Sequence, residues 1–232
     1  MQRGEVITNE VYHIYNRGVD KRRVYMDNSD YSYFIHLLYS FNDSKNSFNT
    51  KRSFLSPISH DRGSTSIMKR EKRDLYADIY AFVLMPNHFH LLLRQRVDHG
   101  ISKFMQKIGT GYTLYFNEKY GRTGSLFQGR YKSVHIAYNN QMYYIPHYIH
   151  LNPMSLPEAK KSPLVFLKKY KWSSLPDYLG NKNFSSVTQR EHILSLFGTS
   201  DHYLKDLTQY TRNKAKFANF DTSDFIDFNH SQ

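Results

Sequence analysis

The sequence predicts an α+β fold in which an antiparallel sheet carries helices on one face and is followed by a small helical appendage. β-prone runs alternate with two strongly periodic helical segments, and a Pro-Asn turn joins two apolar runs into a hairpin. The chain has 232 residues, enough to bury a sizeable core, and its character changes after Pro157. We therefore predict a first domain over residues 1–157 and a basic, mostly helical extension over 158–232.

The first half of the domain contains one strand and one helix. Residues 11–16 form a β-prone run that ends at an Asn-Arg-Gly turn. Asp27 and Asp30 are N-cap residues for a helix whose apolar face extends to Phe41. From about 43 to 73 the pattern dissolves into Ser, Asn, Lys and Arg, which predicts a mobile basic insertion.

The hairpin and a second helix follow. Two strands near 77–85 and 88–95 flank the Pro86-Asn87 turn. Apolar residues from Ile101 to Phe116 then share one helical stripe. Gly109 and Gly111 lie inside this helix, where each costs about 1 kcal/mol relative to Ala. That cost indicates that something approaches the helix closely.

The last elements are a strand over about 131–137 and a helix that reaches Asn152 before Pro153 ends it. Pro146 should kink this helix or mark its true start. The resulting β-α-β-β-α-β order, followed by a helix, is ferredoxin-like. In the extension, five lysines between 160 and 171 precede a helix over about 186–197 and a tail with a frayed end.

The composition points to a polyanionic partner. The formal net charge is +12 and the pI is near 9.6, which favours nucleic acid or an anionic membrane. The 20 Tyr and 16 Phe suit base stacking as well as core packing. Cys is absent, which excludes disulfides, thiolate metal sites and a Cys nucleophile. Neither a signal sequence nor a membrane-spanning run is present, so we expect a soluble, cytoplasmic protein without a membrane partner.

Two pairs of residues suggest chemistry. His88 and His90 alternate along a strand, so both imidazoles face one side and could hold one metal ion. Tyr148 and Asn152 are spaced i, i+4 on a helix, which makes Tyr148 a candidate nucleophile and Asn152 a candidate third ligand. Considered singly, each residue is better explained by an ordinary role: a turn or half-buried histidine, or a tyrosine in the core.

Together, several segments in the right order closely resemble the single-tyrosine HUH transposases, and among them the REP-associated tyrosine transposases. The resemblance covers about residues 9–180, interrupted by the insertion. The segments that carry it are residues 12–18, 84–90, 115–121, 127–133, 148–153 and 172–180.

The resemblance implies a ferredoxin-like enzyme that cleaves and rejoins single-stranded DNA through a 5′-phosphotyrosine, at hairpin-forming palindromes. It assigns His88, His90 and Asn152 to a divalent metal ion, Mg²⁺ or Mn²⁺, and Tyr148 to nucleophilic attack. The ligand types alone do not exclude Zn²⁺. Relatives are monomers or homodimers, so both states stay open.

Other residues have weaker assignments. Arg17, Gln128, Arg130 and Lys132 lie in loops at strand ends, where DNA contacts are expected; ordinary solvated charge is the alternative. His147 and His150 are on other helix faces than Tyr148, so we expect them at the surface or against DNA.

Two rival functions share this sequence pattern. One is a non-catalytic hairpin-binding protein derived from such a transposase, and the other is a metal-dependent phosphoesterase in which water attacks. A binding protein has no need of the complete set of metal and tyrosine residues.

Overall fold

The structure, a computed structural model, describes residues 6–45, 73–137 and 139–212. The strands are β1 (Val11–Arg17), β2 (Ala77–Met85), β3 (His88–Gln95) and β4 (Lys132–His135). They form one antiparallel sheet in the order β2-β3-β1-β4. The helices in these residues are α1 (Asn28–Ser40), α2 (Gly100–Lys119), α3 (Asn139–Leu151), α4 (Pro163–Lys169), α5 (Leu175–Tyr178), α6 (Glu191–Phe197) and α7 (Ser200–Arg212).

This element order and sheet order are those of the ferredoxin-like fold, so the predicted fold class is confirmed. The hairpin strands have the predicted bounds, whereas β4 is shorter than the predicted 131–137. Asp27 caps α1 by accepting from the backbone N–H groups of Ser29 and Asp30, and Asp30 reciprocates in a capping box. No described helix is long and apolar enough to span a bilayer.

One face of the sheet carries α1 and α2, as predicted. Side chains such as Phe89 and Leu91 of β3 enter a core with Phe34 of α1 and Phe104 of α2. A buried carboxylate joins the two helices, because Asp30 accepts from Lys119 Nζ at 2.7 Å and Tyr120 Oη at 2.8 Å.

The opposite face is covered by α3 and by the extension. Val83 and Leu92 of the sheet pack with Ile145 and Ile149 of α3 in a second core. Tyr203 of α7 belongs to the same cluster. The residues after 157 therefore share a hydrophobic core with the sheet.

The extension also pairs with the outer edge of β2. The backbone N–H of Leu84 donates to Trp172 O at 2.8 Å, and that of Ser174 donates to Phe82 O at 3.0 Å. Tyr178 Oη donates to Tyr80 O at 2.7 Å. These bonds satisfy the edge of a strand that would otherwise be open to pairing with another chain.

Several predicted segments fall partly outside the described residues. Residues 46–72, which hold most of the predicted insertion, and the tail after 212 are among them. The described ends of the insertion meet, since Ser44 N donates to Asp74 O at 2.8 Å. The helix predicted over 186–197 begins only at Glu191, and α3 runs through Pro146 from a start at Asn139, so Pro146 does not mark the helix start.

The predicted surface location of His147 and His150 is wrong, because both are fully buried. Helix α7 packs over the side of α3 that was expected to face solvent. His147 Nε2 lies 2.9 Å from Asp206 Oδ2. His150 bonds through Nδ1 to Tyr203 Oη at 2.6 Å and through Nε2 to Ser174 Oγ at 2.7 Å.

Folding stability should decrease as the pH falls from about 6.5 to about 4. Burial lowers the pKa of His147 to about 4, although Asp206 acts in the opposite direction, and burial holds the pKa of His150 well below its usual range. In this window the unfolded chain binds protons at these side chains and the folded chain does not. For His147 the loss is about 2 kcal/mol at pH 5, measurable by urea denaturation at pH 7 and pH 5.

The variant His147→Phe is the matched control. It keeps an aromatic ring next to Phe197, Tyr203 and Tyr210, whose ring centroids lie 4.5 to 5.0 Å from that of His147. Its stability should fall by about 2 kcal/mol less than that of the wild type between the two pH values. An equal fall would mean that His147 is not the titrating group.

Candidate active site

His88 and His90 occupy the first and third positions of β3, directly after the Pro86-Asn87 turn. Their ring centroids lie 5.1 Å apart, and the two rings are almost perpendicular. The intervening Phe89 points the other way into the first core and is 1% exposed. The predicted placement of both imidazoles on one sheet face is therefore seen in the structure.

Each imidazole is held through its Nδ1 atom. His88 Nδ1 lies 2.6 Å from Asn87 Oδ1, and His90 Nδ1 lies 2.8 Å from Nε2 of His13 on the neighbouring strand. Metal-binding histidines usually bond through the ring nitrogen that does not coordinate, which fixes the ring orientation. This arrangement makes Nε2 of each ring the atom suited to coordination.

Helix α3 brings Tyr148 and Asn152 to these histidines. The Tyr148 ring meets the His90 ring edge-on at 5.6 Å and the His13 ring at 5.7 Å. Asn152 begins the short 3₁₀ turn after α3, and its Nδ2 donates to Tyr148 O at 2.9 Å. Its side chain raises the pKa of the His88 imidazole and lowers that of the Tyr148 phenol, although burial outweighs both effects. The four predicted residues thus form one cluster.

Burial controls the protonation of this cluster. It lowers the pKa of His13 to about 3 and that of His88 to about 4, the latter opposed by the bond to Asn152. The pKa of His90 is well below its usual range because of burial, with further lowering by His13 and His88. The imidazoles are therefore neutral near pH 7, which is the form that binds metal. Burial raises the pKa of Tyr148, so its phenol is protonated.

The donor set fits a divalent ion that takes further ligands from outside the protein. In residues 6–45, 73–137 and 139–212, no three His, Cys, Asp or Glu side chains converge in a metal-binding group. His88 and His90 supply two nitrogens, and Asn152 can supply an amide oxygen. Mg²⁺ keeps water and binds substrate phosphates, so such an ion would complete its shell in that way.

The four predicted DNA-contact residues are divided between two locations. Arg17 pairs with His88 across the β1–β3 ladder, and Lys132 pairs with Tyr15, which itself pairs with His90. Arg17 and Lys132 thus lie on the histidine face of the sheet. Gln128 and Arg130 are exposed in the loop before β4, and Arg130 lines a cavity on the sheet face opposite the histidines.

Sequence reasoning missed His13 and Tyr15 as members of the site. His13 stacks on His90 at 5.0 Å, and Tyr15 lies 5.7 Å from His90, measured between ring centroids. The alternation of His13, Tyr15 and Arg17 along β1 was a usable signal, because alternate residues of a strand share a face. The predicted fold places β1 beside β3, but the sequence did not reveal the register that pairs Tyr15 with His90.

Similarity to known proteins identifies the family of this chain. No curated protein sequence matches the chain. A solved structure of a REP-associated tyrosine transposase bound to a REP hairpin is similar over 78% of this chain and 85% of that chain, with 15% sequence identity and a TM-score of 0.49. The family model described as "Transposase IS200 like" matches residues 30–152, more than half of the chain. The chain therefore belongs to the IS200-like transposase family.

Proposed function

We propose that this protein cleaves and rejoins single-stranded DNA through a covalent bond between Tyr148 and a 5′ phosphate. The observation that carries the proposal is the edge contact of the Tyr148 ring with His90 at 5.6 Å; Asn152, one helical turn away, donates its Nδ2 to the backbone carbonyl of Tyr148. A tyrosine packed in a core has no need of two oriented imidazoles beside it. Membership of a transposase family supports the same assignment.

In the proposed reaction, Tyr148 Oη attacks the phosphorus and the bond to the 3′ oxygen breaks. The phenol proton leaves the tyrosine and the departing oxygen gains a proton, so a 3′-OH and a 5′-phosphotyrosine result. Rejoining reverses these changes with another 3′-OH. A bound Mg²⁺ or Mn²⁺ ion, held by His88, His90 and Asn152, would supply Lewis acidity that stabilises charge on the phosphate.

The surrounding cations would hold the DNA. Arg17 and Lys132 lie on the histidine face, where they can contact phosphates on either side of the cleaved bond. The lysines of the extension are exposed and suit the phosphates of a hairpin stem. They are Lys160, Lys161, Lys168, Lys169 and Lys171.

We further propose that one chain forms the complete site. Tyr148 contacts histidines of its own chain, and its helix is anchored on both sides of the nucleophile. His147 bonds to Asp206, and His150 bonds to Tyr203 and Ser174. Exchange of the helix alone would break these buried contacts, and exchange of the helix with the extension would break the backbone bonds that join Trp172 and Ser174 to β2.

Two other functions use the same fold. A hairpin-binding protein without activity would not need a tyrosine beside two neutral, oriented imidazoles. A phosphoesterase that uses water as nucleophile would need the histidines but would leave no DNA on Tyr148. The covalent adduct separates all three functions.

Tyr148→Phe should abolish both strand cleavage and the adduct while DNA binding stays within about two-fold. The change removes one oxygen and keeps the ring, so packing against His90 is preserved. Labelled single-stranded hairpin DNA with Mn²⁺ on denaturing gels measures the loss, and mass spectrometry of trapped peptides locates the adduct.

Tyr144→Phe and Tyr143→Phe are its controls. Tyr144 stacks on Tyr148 with ring centroids 6.3 Å apart, and Tyr143 is 41% exposed on the same helix. Both variants should retain cleavage. An adduct on either of these residues would overturn the assignment of Tyr148.

His13→Phe should weaken apparent metal affinity by about 10- to 100-fold, because it removes the bond that orients His90. Excess Mn²⁺ should restore cleavage in this variant, whereas His90→Ala should stay inactive at all Mn²⁺ concentrations. Cleavage rates measured against Mn²⁺ concentration test both expectations.

The control is His135→Phe, since His135 lies on β4, is bonded to Glu10 and is outside the site. Its metal dependence should match that of the wild type. Unchanged Mn²⁺ dependence in His13→Phe would show that the His13–His90 bond has no role in metal binding.

A mixture of His90→Ala and Tyr148→Phe proteins should remain inactive if one chain forms the site. In a dimer with exchanged helices, some mixed dimers would contain one intact site, and cleavage would return. Cleavage after co-refolding of the two variants gives the readout, and recovery of about one quarter of wild-type activity would contradict the single-chain proposal.

A further inference from the structure

A cavity of about 810 Å³ lies between α2 and the loop over residues 124–131. It is on the opposite face of the sheet from Tyr148, because Phe89 lines it while His88 and His90 point the other way. Ligand pockets in proteins commonly have volumes of about 300 to 1,000 Å³. The residues that matter for its chemistry are Asn16, Gln106, Gly109, Thr113, Phe127 and Arg130.

Gly109 keeps the wall of this cavity open. A Cβ atom at this position would have no heavy atom within 4 Å, so neighbouring atoms do not require glycine there. Glycine inside a helix still costs about 1 kcal/mol relative to Ala. A residue that destabilises the helix and faces empty space is explained if a ligand fills that space.

The walls combine apolar surface with hydrogen-bonding edges. Phe127 and Ile108 are buried and provide apolar surface, whereas Gln106 and Thr110 are exposed and provide polar groups. Leu114 and Arg130 also line the cavity; Leu114 is 53% exposed, and Arg130 is exposed. An unpaired nucleobase has two apolar faces, a polar edge and a phosphate on either side, and these properties match the walls.

The cavity is adjacent to the proposed cleavage site along the same two strands. Asn16 and Phe89, which line it, are a register pair. The pairs on either side are Tyr15 with His90 and Arg17 with His88, which face the catalytic side. A single DNA strand that passes around the end of the sheet where these pairs lie would reach both the cavity and the proposed cleavage site.

We propose that this cavity binds one unpaired base of the DNA strand that Tyr148 cleaves. The proposal rests on the proposed function, since that function supplies the single-stranded substrate. A base bound in this cavity would position the DNA strand relative to Tyr148, and the walls of the cavity would favour some bases over others. The net charge of +12 favours a nucleic-acid occupant over an acidic or apolar peptide.

The experiment uses a single-stranded oligonucleotide selected from a random library for binding to the full-length protein. Each nucleotide is replaced in turn by an abasic analogue, and affinity is measured for the wild type and for Gly109→Leu. Leucine is a good helix former and extends into the empty space, so its thermal stability should equal or exceed that of the wild type. Gly109→Ala adds only a methyl group and is the matched control.

In the wild type, one abasic position should lower affinity by about 5- to 100-fold. Gly109→Leu should bind the intact oligonucleotide about as weakly as the wild type binds the oligonucleotide with that abasic position. In Gly109→Leu, the same abasic substitution should lower affinity by less than about two-fold. If Gly109→Leu does not fold, Gln106→Leu replaces it, since that change leaves the helix intact. Gln106→Leu should reduce the effect of the same abasic substitution on affinity. Gly109→Ala should behave like the wild type.

Two results would overturn the proposal: no sensitive abasic position, or a sensitive position that responds equally in the wild type and Gly109→Leu. Either would leave the cavity to another occupant, such as a segment of this chain. Adduct formation on the intact oligonucleotide is followed in parallel. An adduct without abasic sensitivity contradicts the pocket alone, and abasic sensitivity without an adduct contradicts the cleavage chemistry alone.

Discussion

The alternation of side chains along β3 is the constraint on which the structure depends. Phe89, Leu91 and Leu93 enter the core beneath α1 and α2, so the residues between them must face α3 and the extension. Leu92 packs on that second face, and His88 and His90 form the candidate site there. A shift of one residue in the register would exchange the two sets, burying the imidazoles in the first core and exposing Phe89. Packing therefore fixes the register that places the site.

The site depends on segments before and after the family match, which covers residues 30–152. His13, on the N-terminal side of that range, holds His90 at 2.8 Å. Ser174 and Tyr203, on its C-terminal side, both bond to His150 on the helix that carries Tyr148. The extension thus has two structural roles, because it closes the β2 edge and fixes the tyrosine helix.

Local patterns predicted much of this molecule. The turn before His88 and the alternation after it gave both hairpin strands with their observed bounds, and Asp27 gave the start of α1. Contacts distant in sequence were not predictable, because no local pattern encodes them. Burial of His150 depends on Tyr203, 53 residues away, and the orientation of His90 depends on His13, 77 residues away. The expected surface position of His150 failed for this reason.

Burial sets the charges of the site. Burial keeps the imidazoles of His88 and His90 neutral and keeps Tyr148 protonated, so the cluster itself carries no negative charge that would repel a phosphate. Under the proposed function, attraction of DNA would then come from cations around the cluster, and Arg17 is near enough to lower the pKa of His88. A buried phenol of raised pKa is a weak nucleophile until positive charge and phosphate arrive together. Under the proposed function, the burial that positions the tyrosine would therefore also confine its reactivity to the complex with DNA.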